Sequence, residues 1–277
     1  MSARTPIRRS GSHARGGRSI RRASAGLSPL RAGAILAMLL SAAGAYGVAT
    51  ASTFGFNQMV LDGATFTTRA EVTTALGLAP GQNLVTLHTD GLADALRQLP
   101  TVRDASVAVD LPDTIRVRVV ERTPVVVWVT TAGRYLVDST GLLFAAADAR
   151  PATAVGTLRT ITDKRVISAG LVVGTSLDPV DLDAATRLGS LTPSDIGSAA
   201  GALGLSVDDD RGFVLSTGSG GWVATFGFYT PSLRTPDRIP DQVRALRSIL
   251  GAYGEGAIAT VMLAGADSGT FTRKDGK

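Results

Sequence analysis

Leu99-Pro100-Thr101-Val102-Arg103-Asp104-Ala105-Ser106-Val107-Ala108-Val109-Asp110-Leu111-Pro112-Asp113-Thr114-Ile115-Arg116-Val117-Arg118-Val119 is the stretch that decides the fold around it. Val107, Val109 and Leu111 alternate with small or polar residues, and after Pro112-Asp113 so do Ile115, Val117 and Val119. That period of two means two strands with one apolar side that must be covered. The cover lies upstream. Thr68-Arg69-Ala70-Glu71 has the spacing of a capping box, and Val72, Ala75 and Leu76 give the helix it opens an apolar face that runs to Pro80-Gly81. A second helix begins near Asp90, carries Leu92, Ala95, Leu96 and Leu99 on one stripe, and stops at Pro100. Phe56, Met59 and Leu61, ahead of the turn at Asp62-Gly63, form a first strand. Strand, helix, helix, strand, strand is an α+β unit with two helices on one face of a three-stranded sheet.

Downstream, Glu121-Arg122-Thr123-Pro124 punctuates the chain and the texture turns to strands. These are Val125 to Thr130, Tyr135 to Val137, Leu142 to Ala145, Leu158 to Ile161, Phe213 to Ser216 and Trp222 to Phe226, the last two joined by a glycine-rich turn. Asp178-Pro179 starts a helix reaching about Leu191. Pro240 starts another, whose Val243, Leu246, Ile249 and Leu250 oppose polar Gln242, Arg244, Arg247 and Ser248. Ile258 to Leu263 reads as the final strand, with a small, polar tail after it. The expected division is 1–31 basic tail, 32–53 transmembrane helix, 54–123 first domain, 124–264 mixed β-sheet domain with flanking helices, and 265–277 tail.

Upstream of all this, the first acidic residue is Asp62. Before it, Arg4, Arg8, Arg9, Arg15, Arg18, Arg21, Arg22 and Arg31 flank an apolar stretch from Ala32 to about Thr53. Positive charge on one flank keeps that flank cytoplasmic and sends the rest outside. A cleaved signal is the alternative, since Ala49-Thr50-Ala51 has the form of a cleavage site. The anchor is favoured by the long basic segment and by apolar character continuing through Tyr46 and Val48. A nucleic-acid arm is the lesser reading, because topology and anionic lipid already account for arginines beside a span. Of 28 Lys+Arg against 23 Asp+Glu, eight are these arginines, so the remainder is close to neutral and its charge points to no nucleic-acid groove.

Catalytic chemistry finds little support. Absence of cysteine excludes disulfides, thiol nucleophiles and Cys-ligated metal. The two histidines, His13 in the tail and His88 before the second helix, cannot build a triad. Asp208-Asp209-Asp210 lacks the twelve-position loop of an EF-hand and reads as a solvated turn. Gly218-Ser219-Gly220-Gly221 is followed by a strand rather than a helix, so it is a hairpin and not a phosphate loop. Asp181 and Asp183 sit in a first helical turn, where the helix dipole accounts for them. No catalytic, cofactor or metal residue is expected, and the chain reads as a binding protein.

Taken in order, Leu99-Pro100-Thr101-Val102-Arg103-Asp104-Ala105-Ser106-Val107, Leu111 to Val119, Glu121-Arg122-Thr123-Pro124-Val125-Val126-Val127-Trp128 and Tyr135-Leu136-Val137-Asp138-Ser139-Thr140-Gly141-Leu142-Leu143-Phe144 resemble the FtsQ/DivIB family of bacterial division proteins. Thr101 stands where that family usually has an aromatic residue, and Phe228 to Asp237 looks longer than usual. The resemblance implies a single membrane span, a POTRA domain (β-α-α-β-β) and an FtsQ-type β-domain. It also implies a non-enzymatic scaffold at the septum of the cell membrane, with its N-terminus cytoplasmic. That scaffold would bind FtsB/DivIC-like and FtsL-like partners, contact other divisome proteins through the POTRA domain, and so regulate septal peptidoglycan synthesis. The family's partner-binding edge corresponds to Val261, Leu263, Ser268, Gly269 and Phe271, with exposed side chains expected among Val261, Leu263 and Phe271 on an open last strand. A polypeptide-transport module and a membrane-tethered cell-wall hydrolase are the alternative classes. The first would need an outer-membrane barrel, the second an acid/base pair.

Overall fold

The structure, a computed structural model, describes residues 28–50, 52–149, 155–232, 234–263 and 269–274. The arginines from Arg4 to Arg22, His13 and Ser268 lie outside them. α1 (Pro29–Thr50) is the one helix among the described residues long and apolar enough to cross a membrane, though a signal sequence would pass the same test. Its 22 residues span about 33 Å at ~1.5 Å each. It starts three residues earlier than apolarity alone indicated, because Pro29 suits a first helical position and Ser28 O accepts the Ala32 N–H at 3.0 Å.

Residues 54–122 build the first sheet. β1 (Gln58–Asp62), β2 (Val102–Asp110) and β3 (Thr114–Glu121) lie in the order β1-β3-β2, with β1 parallel and β2 antiparallel to β3. The capping box forms: Thr68 Oγ1 accepts the Glu71 N–H at 3.2 Å and Glu71 Oε2 accepts the Thr68 N–H at 2.7 Å, opening α2 (Arg69–Leu76). α3 (Thr89–Arg97) follows. Val72, Leu76, Leu84, Leu96, Val102, Ala105, Ile115, Val117 and Val119 are buried between these helices and the sheet. Val107 and Val109 are only half-buried, since β2 is an edge strand with a neighbour on one side, and Leu99, in the turn between α3 and β2, is half-buried too. Thr101, at the usual aromatic position, is buried with its hydroxyl 2.7 Å from that of Thr67. Gly63 takes φ +81 at the exit of β1, where a Cβ would sit 2.3 Å from Val119 O.

The second sheet has nine strands: β4 (Pro124–Val129), β5 (Arg134–Asp138), β6 (Leu143–Ala146), β7 (Arg159–Asp163), β8 (Gly204–Asp208), β9 (Gly212–Ser216), β10 (Val223–Gly227), β11 (Ile258–Met262) and β12 (Thr270–Arg273). Across the sheet they run β12-β11-β10-β9-β8-β7-β4-β5-β6. Two parallel neighbours, β7/β8 and β10/β11, are linked through helices, α4 (Pro179–Gly189) and α5 (Ile239–Tyr253). Asp178 caps α4 by accepting the Val180 N–H at 2.8 Å. Both helices share one core with the sheet, centred on Trp128, Ile161, Phe213, Trp222, Phe226 and Leu246.

Two strands depart from the sequence reading. β8 has only Leu205 and Val207 as apolar markers, and β12 has a single one, Phe271, so neither shows a clear period. β12 falls within the stretch read as a polar tail and makes β11 an interior strand.

The two sheets meet at Glu121 to Pro124. Glu121 accepts the backbone N–H groups of Thr65, Phe66 and Thr67 at 2.5–2.9 Å, and Arg122 Nη1 reaches Asp138 at 2.7 Å. Phe66, held out by that loop, packs with Val127, Leu136, Phe144 and Ala145 on the face of the second sheet away from α4 and α5.

Candidate functional site: an open sheet edge

A nine-stranded open sheet has two edges, and their treatment differs. At β6 the Leu143 N–H donates to Thr175 O at 2.9 Å, and Leu143 O accepts the Gly174 N–H at 2.8 Å. A bridge between Leu142 and Ser176 extends this cover. At β12 no strand or loop among the described residues pairs with the outer side. An edge left this way is a template for an added strand.

The outward groups can be read from the ladder. Leu263 N–H donates to Thr225 O at 2.8 Å, so Val261 and Leu263 turn their backbone groups toward β10, and Thr260 and Met262 turn theirs toward β12. Thr260 pairs with Thr272 and Met262 with Thr270, and Lys274 N–H donates to Ala257 O at 3.0 Å. Thr270, Thr272 and Lys274 therefore face inward, leaving Phe271 and Arg273 to present N–H and C=O outward.

Side chains give this edge two unlike faces. On the α5 side the Phe271 ring lies 4.4 Å from that of Tyr253, which is 49 % exposed. On the other, the Thr260 and Thr272 hydroxyls are 2.6 Å apart beside exposed Met262. Arg273 and Lys274 make the far end basic, with Lys274 Nζ donating to Gly220 O at 2.8 Å. Glu255 lies next to this end: burial pushes its carboxyl up, but Ser198, the Ala199 N–H, the Trp222 indole and Lys274 together hold it below its usual value.

The residues expected at a partner edge are divided by the structure. Val261 and Leu263 are 1 % exposed, with side chains in the core beneath α5, which corrects their reading as exposed contacts: β12 covers their strand. Gly269 and Phe271 are half-buried at the edge. Gly269 passes so close to Ile249 and Leu263 that a Cβ would lie 2.8 and 2.9 Å from their side chains. Tyr253 and Arg273 were missed by the sequence reading, and Gln242, read as part of a polar helix face, is buried at 4 % exposure. Its spacing with Ile239, Leu246 and Leu250 was the available signal, since those residues share one helix face.

Arg165 binds Asp163 through Nε (3.0 Å) and Nη2 (2.8 Å) and Asp181 through Nη1 (2.6 Å). Ser168 and the Trp128 indole also donate to Asp163, at 2.5 and 3.1 Å. Burial pushes Asp163 up, yet Arg165, Ser168 and the Arg165 N–H outweigh it and hold the carboxyl low. Burial raises Asp181 despite Arg165. These contacts tie β4, β7 and α4 together and leave Asp163 fully engaged, so the arrangement is a structural pin. Asp181 and Asp183 thus do more than complement a helix dipole, the latter pairing with Arg187 at 2.8 Å. His88 is exposed, and Asp208 and Asp209 serve a turn, bonding Arg211 and the Val166 N–H. No group of three or more His, Asp or Glu placed to hold a metal occurs among the described residues.

Comparison with known proteins adds the family. A family model described as "POTRA domain, FtsQ-type" matches residues 54–122, the extent of the three-stranded unit. Over 161 residues the chain is 30 % identical to the cell division protein FtsQ of Mycobacteroides abscessus, covering 58 % of this chain and 50 % of that one. Over 116 residues it is 32 % identical to FtsQ of Streptomyces venezuelae, covering 41 % and 42 %. Residues 54–122 thus match an FtsQ-type POTRA domain, and the chain is similar to FtsQ cell division proteins. Its architecture is that of an apolar N-terminal helix, a POTRA domain and a large mixed β-sheet. The matched stretches span about half the length or less of these relatives. A shorter match, 45 % over 65 residues, is to FtsQ of Novosphingobium aromaticivorans, covering 22 % of this chain and 20 % of that one.

Proposed function

We propose that this protein is a single-pass scaffold of the bacterial divisome that binds its partners by strand addition at β12. The observation that carries this reading is the contrast between the two edges: β6 is closed by backbone hydrogen bonds, and no strand among the described residues pairs with the outer side of β12. A partner strand would pair with the outward groups of Phe271 and Arg273, set an apolar residue on the Tyr253–Phe271 shelf, and meet basic charge at Arg273 and Lys274. The relatives' name, cell division protein, supports a role in division, and the resemblance makes FtsB/DivIC-like and FtsL-like proteins the partners. Through them the scaffold would regulate septal peptidoglycan synthesis. The POTRA domain, 54–123, would contact other division proteins, and the β-domain from 124 onward would hold this edge. The protein itself performs no chemistry in this reading.

Proline substitution tests it, because proline has no N–H to donate and is tolerated on an edge only where that group faces out. Arg273→Pro should keep the fold and lose partner capture, whereas Thr272→Pro should break the ladder to β11. Full capture by a folded Arg273→Pro protein would remove β12 as the docking strand and turn the search to the POTRA domain.

A further inference from the structure

α5 carries an amide on its buried face. Gln242 Nε2 donates to Phe226 O at 2.9 Å and to Leu263 O at 2.7 Å, and its Oε1 accepts the Tyr229 hydroxyl at 2.7 Å. The two carbonyls stand at the ends of neighbouring parallel strands. The pairing of β10 with β11 runs to Thr225 and Met262, and β10 turns away at Gly227, where φ is +90. Leu263 O therefore has no next N–H in the ladder, and Gln242 takes the place of that rung. Leu263 is also where the chain leaves β11 on its way to β12. Packing alone would be served by a leucine, as at Leu246 and Leu250 on the same stripe, so the amide answers the carbonyls rather than the volume.

We propose that Gln242 is the positioning residue of the β12 edge: by holding the Leu263 carbonyl it fixes the point and direction in which the chain departs for β12. That sets the register in which Phe271 and Arg273 present their outward groups. The inference rests on the edge-docking reading above. Gly269, just ahead of β12, supports it, since its close approach to Ile249 and Leu263 refers the start of β12 to the same helix and the same residue.

The test uses the full chain and amide hydrogen exchange, reading the inward amides of Thr270, Thr272 and Lys274 against those of β4 and β5. Gln242→Leu removes both donors, and Gln242→Glu keeps the shape while placing a carboxyl against the carbonyls. Tyr229→Phe removes only the third bond. Either Gln242 variant should raise exchange in β12 by about tenfold or more while β4 and β5 hold within about twofold, and should weaken capture of purified FtsB/DivIC-type and FtsL-type partners by a similar factor. Tyr229→Phe should leave β12 exchange within about twofold of the parent. A uniform rise across both sheets, unchanged β12 exchange in a folded Gln242 variant, or an equal rise in Tyr229→Phe would overturn the proposal. So would unchanged capture by a protein whose β12 has loosened. If Arg273→Pro captures partners as well as the parent, the docking reading falls, and the exchange data still decide whether Gln242 holds β12.

Discussion

Phe66→Ala measures how far the POTRA domain and the β-domain are joined by packing. Phe66 sits in the POTRA loop between β1 and α2 and is 8 % exposed, but it packs against β4, β5 and β6 rather than the POTRA core. Its ring meets Phe144 edge-on, with centroids 5.6 Å apart and planes at 75°. A phenylalanine buries ~150–250 Å², which at ~25 cal/mol per Å² is about 4–6 kcal/mol, and measured Phe→Ala losses run at ~3–5 kcal/mol. We take about 3–5 kcal/mol as the expected loss in a protein from residue 54 onward. Trp128 and Trp222, the two tryptophans of the chain, both belong to the second sheet's core and report the loss by fluorescence in a urea titration. In a fragment of residues 56–122 the ring has no β4–β6 surface to cover, so the same substitution should shift stability by less than about 0.5 kcal/mol. Equal losses in the two proteins, or a loss below about 1 kcal/mol in the longer one, would refute the view that this residue joins the domains.

Leu96→Ala, at a position with 0 % exposure in the POTRA core, should cost about 2–5 kcal/mol by denaturant melt. Asp138 and Asp163 should supply acid-sensitive stability. Burial pushes both up, but Thr140, Arg122 and the Thr140 and Leu142 N–H groups hold Asp138 low, as Arg165 and Ser168 hold Asp163. With folded values below the ordinary ~3.9, their contribution is complete above that value and drains away as pH falls through the folded one. Urea midpoints from pH 7 to 3 should therefore drop mainly below about pH 4, and Asp163→Asn should flatten that limb. For topology, single cysteines at Ser10 and Ser232 meet no native thiol, and a membrane-impermeant maleimide on sealed cells should label only the second. Labelling at position 10 would reverse the orientation.

Much of the POTRA domain was legible in the sequence because its signals are local. Alternation in β2 and β3, the capping box at Thr68 and the stop at Pro100 each act within a few residues, and chain order alone then restricts how helices can cover a small sheet; α2 ends at Leu76, earlier than the expected stop at Pro80, because Gly77 caps it with φ +60. The apolar length of α1 was equally local. The edge was different. β12 is four residues with one apolar side chain, and it is a strand only because β11 offers a ladder to pair with, so its existence, the burial of Val261 and Leu263, and the identity of the open edge came from tertiary structure. Gln242 shows the same limit: polarity placed it on the outer face of α5, whereas its amide donates inward to the carbonyls of Phe226 and Leu263 at the ends of two strands. A hydrogen-bond partner far along the chain leaves no period in the sequence, and long-range backbone pairing is what decides both cases.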